Sequence, residues 1–373
     1  MSRYENILGI PRLTIEAQLA PLQGNRFSAS SFPNIGAAFY WKNGKKMVTV
    51  ETSQAVANLC EEAMLGPDRI RLKDEFNGIP YVLVHLKSKD PKETDIDMYT
   101  SSLAESHRLS SPYIIDQKDF RSMIEKKMNY SRISIDWKAI AAAILYFDPN
   151  SVIHGVFFPN LEGGRAKLSR LLDGYIEAEG VEDVPAHGVN NNRIDPRGLI
   201  RAVDSQDSSV YQNTPYSNVH FTAEQIRAYF KLNIAHLRSY GFSPEATDLI
   251  ISLSLYQIQH FLTYGLELRS SCDLELVGSL ELNVKNWQVP DMGTLVEWIR
   301  EDAKACMKQG LFPPSAVTEI TTFVKKFKEK KGKEEQKKPD GDDSGKKEEK
   351  NGESSDDEDV ADGNRDGEKD NGE

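Results

Sequence analysis

Apolar and polar residues alternate over positions 12–20, where Leu13, Ile15, Ala17 and Leu19 share one face, the period of a half-buried strand. A loop rich in Gly, Ser, Asn and Pro follows over 22–36. Residues 37–51 read as a β-hairpin turned at Asn43-Gly44, a pair that accepts the positive φ values of a type I′ turn. Helical spacing predicts helices over 53–65, 117–128, 136–147, 222–239, 244–263 and 294–310. Strands are expected at 81–86, 151–158 and 266–277, a Gly-rich turn at 162–165, and a long polar loop over 182–220. No internal repeat is visible. Strands and helices mixed with long polar loops predict an α+β fold, an antiparallel sheet carrying large insertions.

Apolar patterning stops near position 324. Residues 325–373 alternate Lys/Glu clusters with Asp, Gly, Ser and Asn, and bury too little apolar surface to offset the entropy of ordering. The expected organisation is therefore a body over 1–324, with an insertion around 182–220, and a disordered charged tail over 325–373. The tail carries 13 basic and 18 acidic residues, leaving 33 basic and 39 acidic in the body, a net charge of −6. Nucleic-acid binding then requires cations gathered on one face, because average charge offers no help. Cys60, Cys272 and Cys306 stand far apart and form no C-x-x-C, so reduced thiols are expected. Neither a signal peptide nor an 18-residue apolar run occurs, which predicts a soluble, cytoplasmic protein with no membrane contact.

The stretch SSLAESHR (101–108) gathers serine, glutamate, histidine and arginine. Ser102-x-x-Glu105 is a capping-box pattern, and Pro112 limits any helix here to about two turns. Glu105 and Arg108 are spaced to pair, whereas Glu105 and His107 point to opposite sides, so no local catalytic triad forms. Two readings remain: a satisfied cap with an exposed His-Arg pair, or a clasp in which His107 and Arg108 meet phosphate or base. Histidine and cysteine spacings offer no metal site, and no nucleotide-binding loop or cofactor motif is present.

Loops carry the remaining candidates. Gly163 and Gly164, beside Arg165 and Lys167, either make a tight turn or admit a phosphate chain between two cations. Gln23, Gly24, Asn25 and Arg26 offer donors and an open backbone, while Phe27 either stacks on a base or packs into the core. Asn192 and Arg193 lie in the polar loop, Arg269 lies on the polar face of a strand, and His154 reads as a core histidine at the centre of one. Arg with Gly, Asn or His recurs in separate loops, and catalytic pairings are absent.

In order, the blocks LQGNRF…FPNIGAAFYW, SSLAESHRLSSPYII, DPNSVIHGVFF, GGRAKLSRLLDGYIEAEGV, FTAEQIRAYFKLNIAHLRSYG and LRSSCDLEL resemble one family over most of residues 10–280. It is the backbone subunit of the type I-U (I-G) CRISPR-associated surveillance complex, or Cascade, within the repeat-associated mysterious protein (RAMP) superfamily. The resemblance implies an RRM-like, ferredoxin-type palm with thumb and finger insertions. It also implies copies polymerised head to tail on a CRISPR guide RNA, partnered by other subunits, with target DNA engaged through the guide. By this analogy Gln23, Asn25, Arg26, His107, Arg108, Gly164 and Arg165 grip the guide. No RNP1-type aromatic signature appears, so the expected grip is by loops.

The leading expectation is a non-catalytic RNA-binding scaffold without cofactor or metal. One alternative is a metal-dependent ribonuclease using Asp148 and Asp195, because some superfamily relatives cut RNA with a loop aspartate. Another is an interaction subunit acting through its acidic tail.

Overall fold

The alternation at the N-terminus is realised as strand β1 (Leu13–Pro21), whose Leu13, Ile15, Ala17 and Leu19 are buried. In chain order there follow β2 (Phe39–Lys42), β3 (Lys45–Glu51) and helix α1 (Ser53–Glu62). Next come β4 (Tyr81–Ser88), β5 (Asp97–Ser101), α2 (Trp137–Phe147), α3 (Pro149–His154), and the short strands β6 (Val156–Phe157) and β7 (Lys167–Leu168). Then come β8 (Leu172–Glu179), β9 (Glu182–Asn191), β10 (Asn213–Thr222), β11 (Gln225–Leu232) and α4 (Pro244–Tyr264). The chain closes with β12 (Glu267–Arg269), β13 (Cys272–Leu276), α5 (Met292–Lys308) and β14 (Val317–Val324). The computed structural model describes residues 2–32, 35–89, 97–129, 135–159, 161, 166–191 and 213–324, with backbone alone at 188–191 and 213–218. The expected tail at 325–373 lies outside the described residues.

The main sheet is antiparallel, in the order β12-β13-β1-β11-β8-β3-β2. Ala17 faces Ala228, which in turn faces Ile176, so three neighbouring strands turn apolar residues to the same side. Helix α4, buried nearly all round its length, and helix α1, with Val56, Ala57 and Cys60 inward, cover that side. At the β2–β3 turn Asn43 and Gly44 both take positive φ (52° and 80°), as the sequence predicts. A second sheet pairs β14 parallel to β4 and β4 antiparallel to β5. All three cysteines are buried and free.

Three expectations need correction. Residues 222–239 form strand β11 and then a short helix, Ile234–Ser239, because Ile226, Ala228, Phe230 and Leu232 follow a period of two. The polar stretch 182–220 contains a β-ribbon, Glu182↔Thr222 through Asn191↔Asn213, held by backbone hydrogen bonds that need no apolar residues. Residues 151–158 are not one strand. Asp148 caps helix α3, Gly155 ends it at φ 79°, and only Val156–Phe157 is extended.

The other face of the main sheet is polar. Tyr175 and Tyr229 sit directly across from each other on β8 and β11, with ring centroids 5.2 Å apart. Glu16, Asp173, Glu177 and Glu281 surround them, against the cations Arg227 and Lys231.

Candidate nucleic-acid interface

The SSLAESHR stretch does not form the expected capping-box helix, because its capping side chains have other partners. The Ser102 hydroxyl accepts from Val82 N (3.2 Å) and hydrogen-bonds to Asp148. Glu105 accepts from the Thr100 and Ser111 hydroxyls at 2.6 and 2.9 Å. The segment is a turn followed by one 3-10 turn, Arg108–Ser110.

Arg108 takes φ 52°, uncommon for a residue with a Cβ, and its side chain enters the protein. Nε and Nη2 each donate to one oxygen of Glu61 at 2.6 Å, and Nη1 donates to Gly155 O at 3.1 Å. This corrects two expectations: Arg108 pairs with Glu61 rather than Glu105, and its fork is committed inside rather than offered to solvent. The bidentate geometry fixes its orientation. Behind it Asn150 donates to Glu61 (2.7 Å), Gln257 Nε2 donates to Asn150 (3.0 Å), and His154 Nε2 donates to Gln257 Oε1 (2.9 Å). Burial pushes His154 down to about 4, partly offset by Glu61, so its ring is neutral near pH 7. Its Nδ1 meets no hydrogen-bond partner among the described residues.

This network floors a cleft of about 810 Å³ bordered by α1, the 3-10 turn, the end of α3 and the β6–β7 pair. His107 stands exposed at its rim, one residue from buried Arg108. Phe157, 52 % exposed, adds an aromatic face. Arg170 donates to Ser53 O (3.1 Å) and to Gln54 Oε1 (2.9 Å), and the Gln54 amide is itself bonded to Asn58 (2.9 Å). Asp116 is the only carboxylate among the described lining residues. Gly155 is required here: a Cβ would meet Leu168 O at 2.8 Å and Arg170 N at 2.9 Å. The cleft therefore combines nitrogen donors, amides and an exposed ring, a set suited to an anionic strand bearing bases.

Phe157 pairs with Lys167 across the β6–β7 hairpin, so Lys167, exposed, lies beside the cleft. Gly163, Gly164 and Arg165, between these two residues in sequence, lie outside the described residues, as do Asn192, Arg193 and Asp195. Sequence reasoning missed Gln54, Asn58, Gly155, Phe157 and Arg170. The signal for Gly155 was a glycine straight after a helical run; Phe157 was hidden in the apolar run Val156–Phe158.

The second expected group does not line this cleft. Gln23, Gly24, Asn25 and Arg26 form an exposed loop beyond β1, with Gly24 at φ 69°, and no hydrogen bond or ion pair ties Arg26 to the described residues. Phe27 is 1 % exposed, bridges to Phe221 through its backbone and packs against that ring, so the core reading holds and base stacking is corrected. Arg269 is corrected likewise. It donates to Ser28 O and Val50 O, both at 3.1 Å, and pairs with buried Glu51, which ties the loop to the sheet.

Asp148 is fully buried and caps α3, accepting from Asn150 N (2.9 Å) and the Ser151 hydroxyl (2.8 Å). Burial pushes its pKa up to about 6. Among the described residues no group of three or more His, Cys, Asp or Glu is placed to hold a metal ion, and no helix is long and apolar enough to cross a membrane.

Residues 13–183 match the family described as CRISPR-associated protein GSU0053. The match covers a little under half of the chain and is in keeping with the resemblance of its sequence blocks. No curated protein sequence matches it. Among solved structures, a chain of "CRISPR RNA-guided surveillance complex, pre-nicking" is similar at 9 % identity and TM-score 0.35, covering 84 % of this chain and 96 % of that one. Csc2 of Thermofilum pendens is similar at 11 % identity and TM-score 0.29, covering 83 % and 80 %. Structural likeness this weak carries no argument about function.

Proposed function

We propose that this chain is a CRISPR-associated, non-catalytic backbone subunit of a guide-RNA surveillance complex, in which the cleft at His107, Phe157 and Arg170 grips the guide. One observation carries the reading: every described residue lining that cleft falls within the family-matched segment 13–183, and that lining is rich in donors with a single carboxylate. Net charge disfavours phosphate binding over the surface at large, and the tyrosine-bearing sheet face is bordered by Glu16, Asp173 and Glu177. A phosphate chain is accordingly held at the cleft and its neighbouring loops rather than across the sheet.

The palm is RRM-like in this reading. The order β13-β1-β11-β8, with α1 lying between β1 and β8 in the chain and α4 between β11 and β13, is that of a β-α-β-β-α-β unit. Loops Gln23–Arg26 and Gly163–Arg165 complete the grip. Copies follow one another along the guide through a heterologous, open contact, and target DNA is read by the guide's base pairing. The setting is the cytoplasm.

The test is to purify the chain without partner subunits and extract co-purifying nucleic acid. RNA of uniform length, left intact by the protein in magnesium, is the expected result. Magnesium-dependent cleavage lost in Asp148→Ala or Asp195→Ala would establish the ribonuclease reading in its place.

A further inference from the structure

A second cleft, of about 870 Å³, adjoins the first at the β6–β7 hairpin and shares Leu168 with it. Trp137, the first residue of α2, stands at its wall with 46 % of its surface exposed. Lys138 and Lys167 line the same space, and neither has an ion-pair partner among the described residues. The opposing charge is Asp136, whose Oδ1 already accepts from Lys138 N (3.0 Å) and Ala139 N (3.1 Å) as the cap of α2.

A separate observation points to a missing ligand. Tyr240 is 4 % exposed and lines the cleft, yet its hydroxyl meets no hydrogen-bond partner among the described residues. Buried polar groups nearly always have one, because leaving a donor unmade costs its full desolvation. His236, packed against Tyr240 with centroids 4.9 Å apart, has its pKa lowered by burial and completes the wall.

We infer that this cleft is a second nucleotide site for single-stranded RNA, in which a base stacks on Trp137 while Lys138 and Lys167 hold the adjoining phosphates. The inference rests on the reading of the first cleft as an RNA grip. It extends that grip along the hairpin, from Arg170 at the first cleft to Lys167 at the second. The chemistry fits: an indole face accepts any base, and two unpaired ammonium groups meet a phosphate chain without reading sequence.

The experiment titrates full-length protein with oligouridylate RNA, following tryptophan fluorescence and, with a fluorescein-labelled strand, anisotropy. Wild type, Trp137→Phe, Trp137→Ala and Lys138→Ala/Lys167→Ala are compared, with thermal melts to check folding. Quenching by RNA that largely disappears in Trp137→Phe, with affinity reduced about tenfold in Trp137→Ala, is the expected result. The double lysine variant is expected to show a shallower dependence of affinity on salt. RNA binding and quenching unchanged in all three variants would overturn this inference and leave the first cleft standing. Unchanged RNA binding with lost self-association in Trp137→Ala would assign the cleft to protein contact, which also overturns it. Wild-type protein that binds no RNA would overturn both readings together.

Discussion

The guanidinium of Arg108 meets the carboxylate of Glu61 edge to edge, Nε and Nη2 each 2.6 Å from one oxygen, with both side chains at most about a tenth exposed. Burial opposes ionisation of Glu61, yet His154, Arg108 and Asn150 together leave its pKa below the usual carboxylate range. The pair anchors the turn that displays His107. Arg108→Ala is expected to cost about 3–5 kcal/mol in urea unfolding, because Glu61 is left charged and buried. Arg108→Lys restores little, since an ammonium lacks the fork. The neighbouring His107→Ala changes stability by only about 0.5 kcal/mol.

Gly155→Ala tests the wall between floor and hairpin. Its φ of 79° with ψ 157° is a region open essentially to glycine, and the new methyl would press on the β7 backbone. The expected loss is about 1–3 kcal/mol from the backbone alone. RNA affinity should fall as well, because the β6–β7 pair must shift. Unchanged melting and affinity would contradict the placement of Gly155.

Two phenylalanines separate folding from binding. Phe27→Ala empties a core position against Phe221 and should cost about 3–5 kcal/mol. Phe157→Ala removes a ring already half in water, so its melt should stay near wild type while RNA affinity drops several-fold. Equal effects of the two on stability would remove Phe157 from the site.

How much of this was legible in the sequence depended on whether a residue's partner was near in the chain. The alternation of β1, the Asn43-Gly44 turn and helix α4 are local patterns, and each was readable. The strand at Gln225–Leu232 was hidden because its apolar residues also satisfy a helical reading over a longer window. Ribbon β9–β10 has almost no apolar code, since backbone pairing is blind to side-chain type. In the site, His107 and the β6–β7 hairpin line one cleft, whereas the Gln23–Arg26 loop does not. Which arginines are free was not legible. Arg108 and Arg269 look like surface cations until their partners, Glu61 and Glu51, arrive from 47 and 218 residues away.

Acid sensitivity follows from His154. Its folded pKa of about 4 lies below the ordinary 6.5, so between those values the unfolded chain binds more protons and stability falls as pH falls. Asp148, pushed up to about 6, acts oppositely, as the folded state holds its proton between about 6 and 3.8. Comparing wild type with His154→Gln isolates the histidine. The stability difference between them should shift against wild type as pH drops from 6.5 to 4, by at most about 3 kcal/mol. A difference independent of pH in urea melts would mean that His154 is not held neutral.

The most direct measurement is fluorescence anisotropy of a labelled CRISPR-repeat RNA titrated with nucleic-acid-free protein across a salt series. A phosphate-gripping cleft predicts saturable binding at low salt, with the logarithm of affinity falling linearly against the logarithm of salt. The slope should be about 0.7 per phosphate neutralised, and shallower in Arg170→Ala. Anisotropy that stays flat at the lowest salt, on protein shown to be folded, would contradict RNA gripping by this chain.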